Sequence, residues 1–274
     1  MRSRPALALT SALVALLALT ACTGSKGSAD GTDGNGGDAK VSVEPPAAGA
    51  CRRLEPADIA ESSNDSATVS CKADHTAETF YVGTFRSKDA KLEPEDPALG
   101  ATVFKACDKG FKKFTGADDS LAMRSVLSWA WFRPTDDAWS QGARWYRCDV
   151  VGGTEASETL VTLPARTAKG VLLGIPDDQW LSCVADATVS GSPRVPCSDE
   201  HAWRAVSTIV VGDPQEHYPG DRVVMVRSRD SCSDWVGAWM NYPVTDYQFA
   251  YTWFPRGEWD AGNRRSICWA KTSE

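Results

Sequence analysis

The sequence predicts an α+β fold of two homologous, disulfide-bonded modules, each with a mainly antiparallel sheet and one principal helix. Besides Cys22 it contains eight cysteines, which divide into two sets of four. The middle interval of a set is 36 residues in the first and 35 in the second. We predict the pairs Cys51–Cys71, Cys107–Cys148, Cys183–Cys197 and Cys232–Cys268, although four cysteines in a module allow three connectivities.

Other motifs repeat in register with the cysteines, which makes an internal duplication the simplest interpretation. A Cys-x-x-x-His motif precedes a strand-like run at Cys71 and again at Cys197. A tryptophan lies nine residues before the last cysteine of each module, followed by a glycine and an arginine at matching positions. These residues are Trp139, Gly142 and Arg144 in the first module and Trp259, Gly262 and Arg264 in the second. The segments beginning at Trp131 and at Trp253 also look alike.

One long helix is predicted in each module. Asp96 and Pro97 suit the N-cap and first turn of a helix over 97–115, and Gly116 suits its end. Its Leu99, Val103, Cys107, Phe111 and Phe114 fall on one face. The second helix is predicted within 220–240, with a buried stripe of Cys232, Trp235, Val236 and Trp239. Strands near 123–133 and 247–254 should follow the two helices.

The N-terminus predicts export and lipid attachment. Two arginines precede an apolar run that is too short for a comfortable membrane span. The run ends in Leu-Thr-Ala-Cys, which resembles a bacterial lipobox, in which the cysteine thiol takes a diacylglyceryl group. Ranges 1–21 and 22–47 are therefore expected to be a lipoprotein signal peptide and a lipidated, Gly- and Ser-rich tether. Then follow modules at 48–152 and 180–274, joined by a linker at 153–179.

Charge narrows the choice of partners. The whole chain carries a formal net charge of −7, and removal of Arg2 and Arg4 leaves 27 basic against 36 acidic residues, or −9. An acidic chain does not track a phosphate backbone, which argues against nucleic acid as a partner. Attachment to anionic lipid headgroups by charge is equally disfavoured, so the lipid on Cys22 must hold the protein at the outer face of the cytoplasmic membrane.

The cysteine spacing and a Pro-Thr…Trp-x-x-Gly-x-Arg…Cys ending carry a family resemblance. In the first module this ending runs from Pro134 and Thr135 to Cys148; in the second, Arg256 follows Pro255 and the loop is one residue shorter. With the lipobox, these features resemble the septum-formation domain family of actinobacterial envelope proteins, here in tandem copies. The resemblance implies an envelope location and a link to division, and it implies no reaction.

The sequence contains candidate binding residues but no recognisable set of catalytic residues. The sequence has no Gly-x-Ser-x-Gly, His-Glu-x-x-His or Cys-x-x-Cys motif. A zinc site is disfavoured because four residues along a strand span about 13 Å. We expect no cofactor and no metal. The residues retained as binding candidates recur between the modules or carry chemistry, and they are His75, His201, Trp139, Arg144, Trp259 and Arg264.

Three functions remain open at this stage. The favoured one is a non-enzymatic binding module of the envelope, working with envelope or division proteins and linked to septum formation. The second is a cell-wall glycan binder with exposed tryptophans, for which Trp145, Trp180, Trp203 and Trp269 have no clear repeat partner and are the freer candidates. The third is a hydrolase whose carboxylates come together only in the fold.

Replacing Cys22 by serine tests the predicted anchor, because a serine hydroxyl cannot supply the thioether sulfur. The variant should lose all incorporation of an alkyne-tagged palmitate in growing cells, whereas Ser25→Ala should be labelled like the wild type. Labelling of the Cys22→Ser variant at the wild-type level would show that the lipid is attached elsewhere or that the leader is an ordinary secretory signal.

Overall fold

The computed structural model describes residues 42–243, 246–260 and 262–272. The predicted leader, Cys22 and most of the predicted tether lie outside the described residues. The fold is α+β, with two antiparallel sheets, six α-helices and four disulfides among these residues. We call residues 48–152 the first half and residues 180–272 the second half; both belong to one compact unit.

The first half consists of one four-stranded antiparallel sheet and the helices beside it. Its strands lie in the order β1-β2-β4-β3. In chain order, its elements are β1 (Cys51–Arg52), α1 (Pro56–Ala60), β2 (Ala77–Thr84), α2 (Pro97–Thr115), α3 (Asp119–Met123), β3 (Ser128–Phe132), α4 (Asp136–Ser140) and β4 (Trp145–Val151).

The second half repeats this plan with one added strand. Its sheet has the order β6-β5-β7-β9-β8, and without β6 the order matches that of the first half strand for strand. Its elements are β5 (Ser182–Val184), β6 (Val195–Pro196), β7 (Trp203–Val210), α5 (Asp221–Trp239), β8 (Phe249–Tyr251), α6 (Arg256–Asp260) and β9 (Arg265–Lys271).

Strand register shows how closely the halves correspond. Both central strand pairs are irregular at the same place, between Thr79 and Tyr81 in β2 and between Ala205 and Ser207 in β7. The four predicted disulfides are confirmed, and each joins cysteines of one half. One predicted match was wrong: Cys148 lies opposite Trp131, whereas Cys268 lies opposite Tyr251, so Trp253 is not the counterpart of Trp131.

Helix α2 has the predicted bounds because local signals fix both of its ends. The Asp96 side chain accepts a hydrogen bond from the Ala98 amide at 2.9 Å, and Pro97 occupies the first turn. Gly116 follows the last turn with a φ of 83°, a conformation that favours glycine. The buried face carries Leu99, Val103, Cys107 and Phe111, as the periodicity predicts, and Phe114 is half-buried.

Helix α5 departs from its predicted stripe, because Trp235 and Trp239 are 56% and 52% exposed. The buried positions follow an i, i+4 row: Val224, Ser228, Cys232 and Val236. Each step of that row turns about 40° around a helix of 3.6 residues per turn, so the contact with the sheet winds around α5. At its C-terminal end the buried side is at Val236 and Gly237, and both tryptophans project away from it.

The segment 153–179, predicted as a linker, packs against the first half. Leu163, Ala168 and Leu172 are buried in the cluster that contains Phe111 of α2. The Leu163 amide donates to the carbonyl of His75, and the Leu172 amide donates to that of Thr115. The first half also pairs with the start of the second through a single β-bridge between Ser125 and Leu181.

The sheet faces opposite the long helices differ in chemistry between the halves. In the first half, Arg147 Nε donates to Asp149 Oδ2 at 2.9 Å, and Thr79 donates to Asp149 Oδ1 at 2.7 Å. Arg52 donates to Thr79, and burial together with the Arg147 charge lowers the pKa of Arg52, against the attraction of Asp149. All four side chains are buried.

In the second half, apolar residues occupy the equivalent positions. The strand register makes four pairs of positions equivalent in the second and first halves: Val184 and Arg52, Ala205 and Thr79, Ile267 and Arg147, and Trp269 and Asp149. These four residues belong to one hydrophobic cluster, which Trp203 completes. The same backbone plan therefore accommodates either a buried ion network or an apolar core.

Asp149→Asn should destabilise the protein strongly, because it leaves Arg52 and Arg147 buried without a carboxylate. We expect the free energy of unfolding, measured by urea denaturation, to fall by about 3–5 kcal/mol, as for other broken buried ion pairs. Asp65→Asn, at an exposed position, should change it by less than about 0.5 kcal/mol. Equal effects of the two substitutions would contradict the role given to the network.

Candidate binding sites

The two histidines of the Cys-x-x-x-His motifs are held in equivalent turns. His75 is 1% exposed and His201 is 5% exposed. His75 Nδ1 lies 2.8 Å from the carbonyl oxygen of Ala73, and His201 Nδ1 lies 2.7 Å from that of Asp199. Each ring therefore fixes the turn that leads into β2 or β7. Among the described residues, no group of three or more His, Cys, Asp or Glu side chains could hold a metal ion.

The tryptophan–arginine pairs form equivalent structural corners. The guanidinium of Arg144 lies 4.3 Å from the ring centroid of Trp139, and that of Arg264 lies 4.0 Å from the ring of Trp259. Each arginine also donates to the carbonyl of its own tryptophan, at 2.7 and 2.6 Å. Trp139 and Trp259 are buried, so both pairs stabilise the chain between the last helix and the last strand of a half.

The tryptophans expected to be freer for a glycan are mostly in the core. Trp180, Trp203 and Trp269 are 5%, 7% and 1% exposed, and only Trp145 of that set is half-buried. The tryptophans exposed in the described part of the chain are Trp235, Trp239 and Trp253. Trp235 and Trp239 lie one turn apart near the C-terminal end of α5, so a ligand that packs on exposed indoles would bind at that end of the helix.

A groove of about 650 Å³ runs between the two halves. We call it the inter-half groove. Its apolar lining comes from both halves: Phe104, Ala122, Met123, Val210 and Pro214. Phe104 on α2 is 54% exposed and Val210 at the end of β7 is 58% exposed. Its charged and polar lining includes Asp108, Lys112, Asp119, Glu258, Asn263, Arg264 and Arg265.

An ion chain connects the halves along this groove. Lys112 Nζ lies 2.7 Å from a carboxylate oxygen of Asp108 and 2.7 Å from one of Asp119. Arg265 of the second half lies 3.9 Å from the other oxygen of Asp119. Burial acts to lower the pKa of Lys112, but its hydrogen bonds to the two carboxylates outweigh burial and raise it.

Asp119 is held ionised by the same contacts. Its hydrogen bond with Lys112 lowers its pKa, and the charges of Lys112 and Arg265 act in the same direction against some desolvation. A general acid of a glycosidase needs the opposite shift, because it must keep its proton near neutral pH. The lowered pKa of Asp119 therefore argues against a role for this carboxyl as a general acid.

Comparison with known proteins gives one match. A family model described as "Septum formation" matches residues 48–268, which is most of the chain. The chain belongs to the septum-formation family. No curated protein and no solved structure matches the chain.

In this septum-formation protein, a single family match covers both halves and the segment between them. The domain that the family model defines therefore includes the inter-half groove, to which each half contributes. None of the helices in the described residues is long and apolar enough to cross a membrane.

Arg264 is the one binding candidate from the sequence that lines the inter-half groove, and the other lining residues were not among the candidates. Phe104 follows Val103 and therefore lies off the buried stripe of α2. This position in the helical pattern could have predicted an exposed aromatic ring. Nothing in the sequence indicated that Val210 is exposed, because it is the last residue of a strand whose other residues are buried or half-buried. The remaining candidates do not converge: His75 and His201 line separate clefts, and Trp139 and Arg144 do not line the groove.

The lowered pKa of Asp119 predicts how the ion chain responds to acid. Its stabilisation is complete above the ordinary aspartate pKa of 3.8 and is lost as pH falls through the lower folded-state value. Asp119→Asn should therefore be less stable than the wild type at pH 7, with a difference in urea midpoint that shrinks as pH falls below 3.8. A difference that persists unchanged at pH 2 would contradict the ion chain.

Proposed function

We propose that the protein is a lipid-anchored, extracytoplasmic binding module that engages another envelope protein during septum formation and catalyses no reaction. The observation that carries the proposal is the inter-half groove, with Phe104 and Val210 exposed on its two sides. Exposed apolar side chains in a concave site, bordered by polar groups, are typical of a recognition surface. Membership of the septum-formation family supports the link to division.

The groove suits a partner segment with an apolar side chain flanked by charges of both signs. The apolar residues that line the groove favour burial of one or two such side chains. This burial contributes a free energy of about 25 cal/mol per Å² of apolar surface removed from water. Its rim offers the acidic Asp108 and Glu258 beside the basic Arg264 and Arg265. Rim charges of both signs favour one orientation of a bound segment over the reverse and so give specificity.

The proposed anchor and tether define where such a partner is found. Lipid on Cys22 would hold the chain at the outer face of the cytoplasmic membrane. A flexible segment of about 26 residues spans roughly 30 Å root-mean-square, so the folded halves would sample a layer of that depth above the membrane. A partner in this layer meets the groove at a raised local concentration.

We also propose that the protein is an actinobacterial lipoprotein and that its two halves are tandem copies of one ancestral unit. The equivalent strand orders, strand irregularities, disulfides and Trp–Arg corners support the duplication. Duplication also accounts for the position of the groove, because two units that pack side by side create a surface to which both contribute.

Crosslinking in dividing cells tests the proposed function. A photo-crosslinking amino acid at Asn263, on the groove rim, should capture a discrete envelope protein. Phe104→Asp and Val210→Asp should each reduce that product about tenfold or more, because each puts a charge in the apolar part of the interface. Ile175→Asp is the matched control: Ile175 is 99% exposed and lies outside the groove, so its product should stay at the wild-type level.

Two outcomes would overturn the proposal. One is capture of lipid and bulk wall alone, with no discrete protein product. The other is equal loss of product in the Ile175→Asp control, which would mean that any added charge acts nonspecifically. Circular dichroism of each variant would separate loss of binding from loss of folding.

A further inference from the structure

Three lysines form an exposed row on the outer side of α2. Lys105, Lys109 and Lys113 are spaced four residues apart, so they lie on one ridge of the helix, on the side away from its buried face. All three are exposed. Within the described part of the chain, no carboxylate forms an ion pair with any of them. We call these three residues the lysine row.

The lysine row is unfavourable for the helix that carries it. Like charges four residues apart on a helix repel each other, and Lys109 has only lysines and an alanine three and four residues away on either side. Asp108 lies three residues after Lys105, but its carboxylate is 2.7 Å from Lys112 Nζ and is therefore already paired. A charge pattern that the helix does not need for folding points to a role in binding.

The turn before α2 adds two more lysines to this side of the helix. Lys88 and Lys91 are exposed and flank Asp89 in the sequence. The hydroxyl of Thr102 on α2 donates to the Asp89 carboxylate at 3.1 Å, which holds this turn against the N-terminal part of α2. The whole chain carries −7, so the local positive charge is opposite to that of the protein as a whole.

The second half has no lysine row. Cys107 and Cys232 occupy the same place in the two disulfides between helix and last strand, and they align α2 with α5. The equivalents of Lys105, Lys109 and Lys113 are then Asp230, Asp234 and Ala238. The same alignment superposes the buried rows of the two helices. The positive ridge is therefore a property of the first half alone and not of the shared fold.

The shape of the ridge selects the kind of anion that it suits. None of the clefts in the described part of the chain is lined by the three lysines of the row. A small anion needs several donors that converge on one point, and a convex ridge does not provide them. Flexible lysines on a solvated ridge suit a broad anionic surface, on which each ammonium group meets a separate headgroup phosphate.

We propose that the lysine row contacts the headgroups of anionic phospholipids and so orients the folded halves on the membrane. The proposal rests on the proposed function in one respect: the tether brings the bilayer within roughly 30 Å of the fold. The net negative charge of the chain does not prevent the contact, because the Debye length is about 8 Å at physiological ionic strength and only charges near the surface act on it. The lipid on Cys22 attaches the protein, and the lysines set which side faces the bilayer.

This orientation would place the inter-half groove next to the membrane. Phe104, Asp108 and Lys112 form the neighbouring ridge of α2, and all three line the groove. With the lysine row on the headgroups, the groove opens along the bilayer surface. The partner segment that it receives would then lie close to the membrane.

Acetylation of lysine amines, read by mass spectrometry, tests the contact residue by residue. The chain from Thr23 onward carries an N-terminal hexahistidine and is held on vesicles by a nickel-chelating lipid, so the result does not depend on the native anchor. Residues 1–22 contribute no element to the described fold. The test vesicles contain roughly three parts phosphatidylcholine to one part phosphatidylglycerol, and the comparison vesicles contain phosphatidylcholine without phosphatidylglycerol.

On the anionic vesicles, the three lysines of the row should be acetylated about fivefold more slowly than on the neutral vesicles. Lys72 and Lys169, which are exposed elsewhere on the fold, should differ by less than about twofold. The protection of the row should disappear at about 1 M salt, where the Debye length is about 3 Å.

Matched variants assign the protection to the lysine row. Lys109→Glu should reduce the protection of Lys105 and Lys113 to about twofold or less, because it places a negative charge between them. Lys169→Glu makes the same change at an exposed lysine elsewhere and should leave the protection at about fivefold. The thermal unfolding midpoint of Lys109→Glu should equal or exceed that of the wild type, because the substitution removes repulsion within the row.

Three results would overturn the proposal: equal acetylation on the two kinds of vesicle, protection that persists at high salt, or equal loss of protection in Lys169→Glu. Protection by soluble poly-L-glutamate as strong as that by the anionic vesicles would also overturn it and would assign the row to an acidic protein. Val210→Asp separates this proposal from the proposed function, since it should lose the crosslinked partner yet keep the protection of the row. Loss of protection with the crosslinked product intact would refute the lysine row and leave the groove assigned.

Discussion

The disulfide between the long helix and the last strand is the constraint on which each half depends. Cys107 joins α2 to Cys148 in β4, and Cys232 joins α5 to Cys268 in β9, with all four sulfurs at the centre of a hydrophobic cluster. These bridges close loops of 41 and 36 residues. Each contributes about 4 kcal/mol to the free energy of unfolding, because it lowers the conformational entropy of the unfolded chain. They hold helix and sheet together, and the turns, corners and sheet edges are arranged around that contact.

With that contact secured, the other face of each sheet is free to vary. One half fills it with Arg52, Thr79, Arg147 and Asp149, and the other with Val184, Ala205, Ile267 and Trp269. Apolar replacement of a buried ion network is often neutral or stabilising, so neither solution is required for folding. The connecting segment also covers the first half at Glu78, and the two halves thus present different surfaces from one backbone plan.

Local signals made much of this fold predictable from sequence. The ends of α2 follow from Asp96, Pro97 and Gly116, each of which acts through its nearest neighbours. The repeat divided the cysteines into two sets of four, and the pairs followed from the predicted elements: one bridge joins neighbouring strands and the other joins the helix to the last strand. The exposure of Trp235 and Trp239 could not be derived, because it depends on the angle at which α5 crosses its sheet. The inter-half groove is likewise tertiary, because it joins residues far apart in the chain, such as Phe104 with Val210.

The Cys51–Cys71 bridge has a mechanical consequence. Residues 42–50 lead directly into β1, so a pull along the N-terminal segment reaches the fold at the edge strand of the first sheet. Without the bridge, complete unfolding of the segment from β1 to Cys71 could release 20 residues, or roughly 70 Å of extended chain. The bridge prevents this extension and transmits the force directly to Cys71, in the turn before β2. In the proposed anchored state, the folded halves would therefore keep their length when force acts between the membrane and a bound partner.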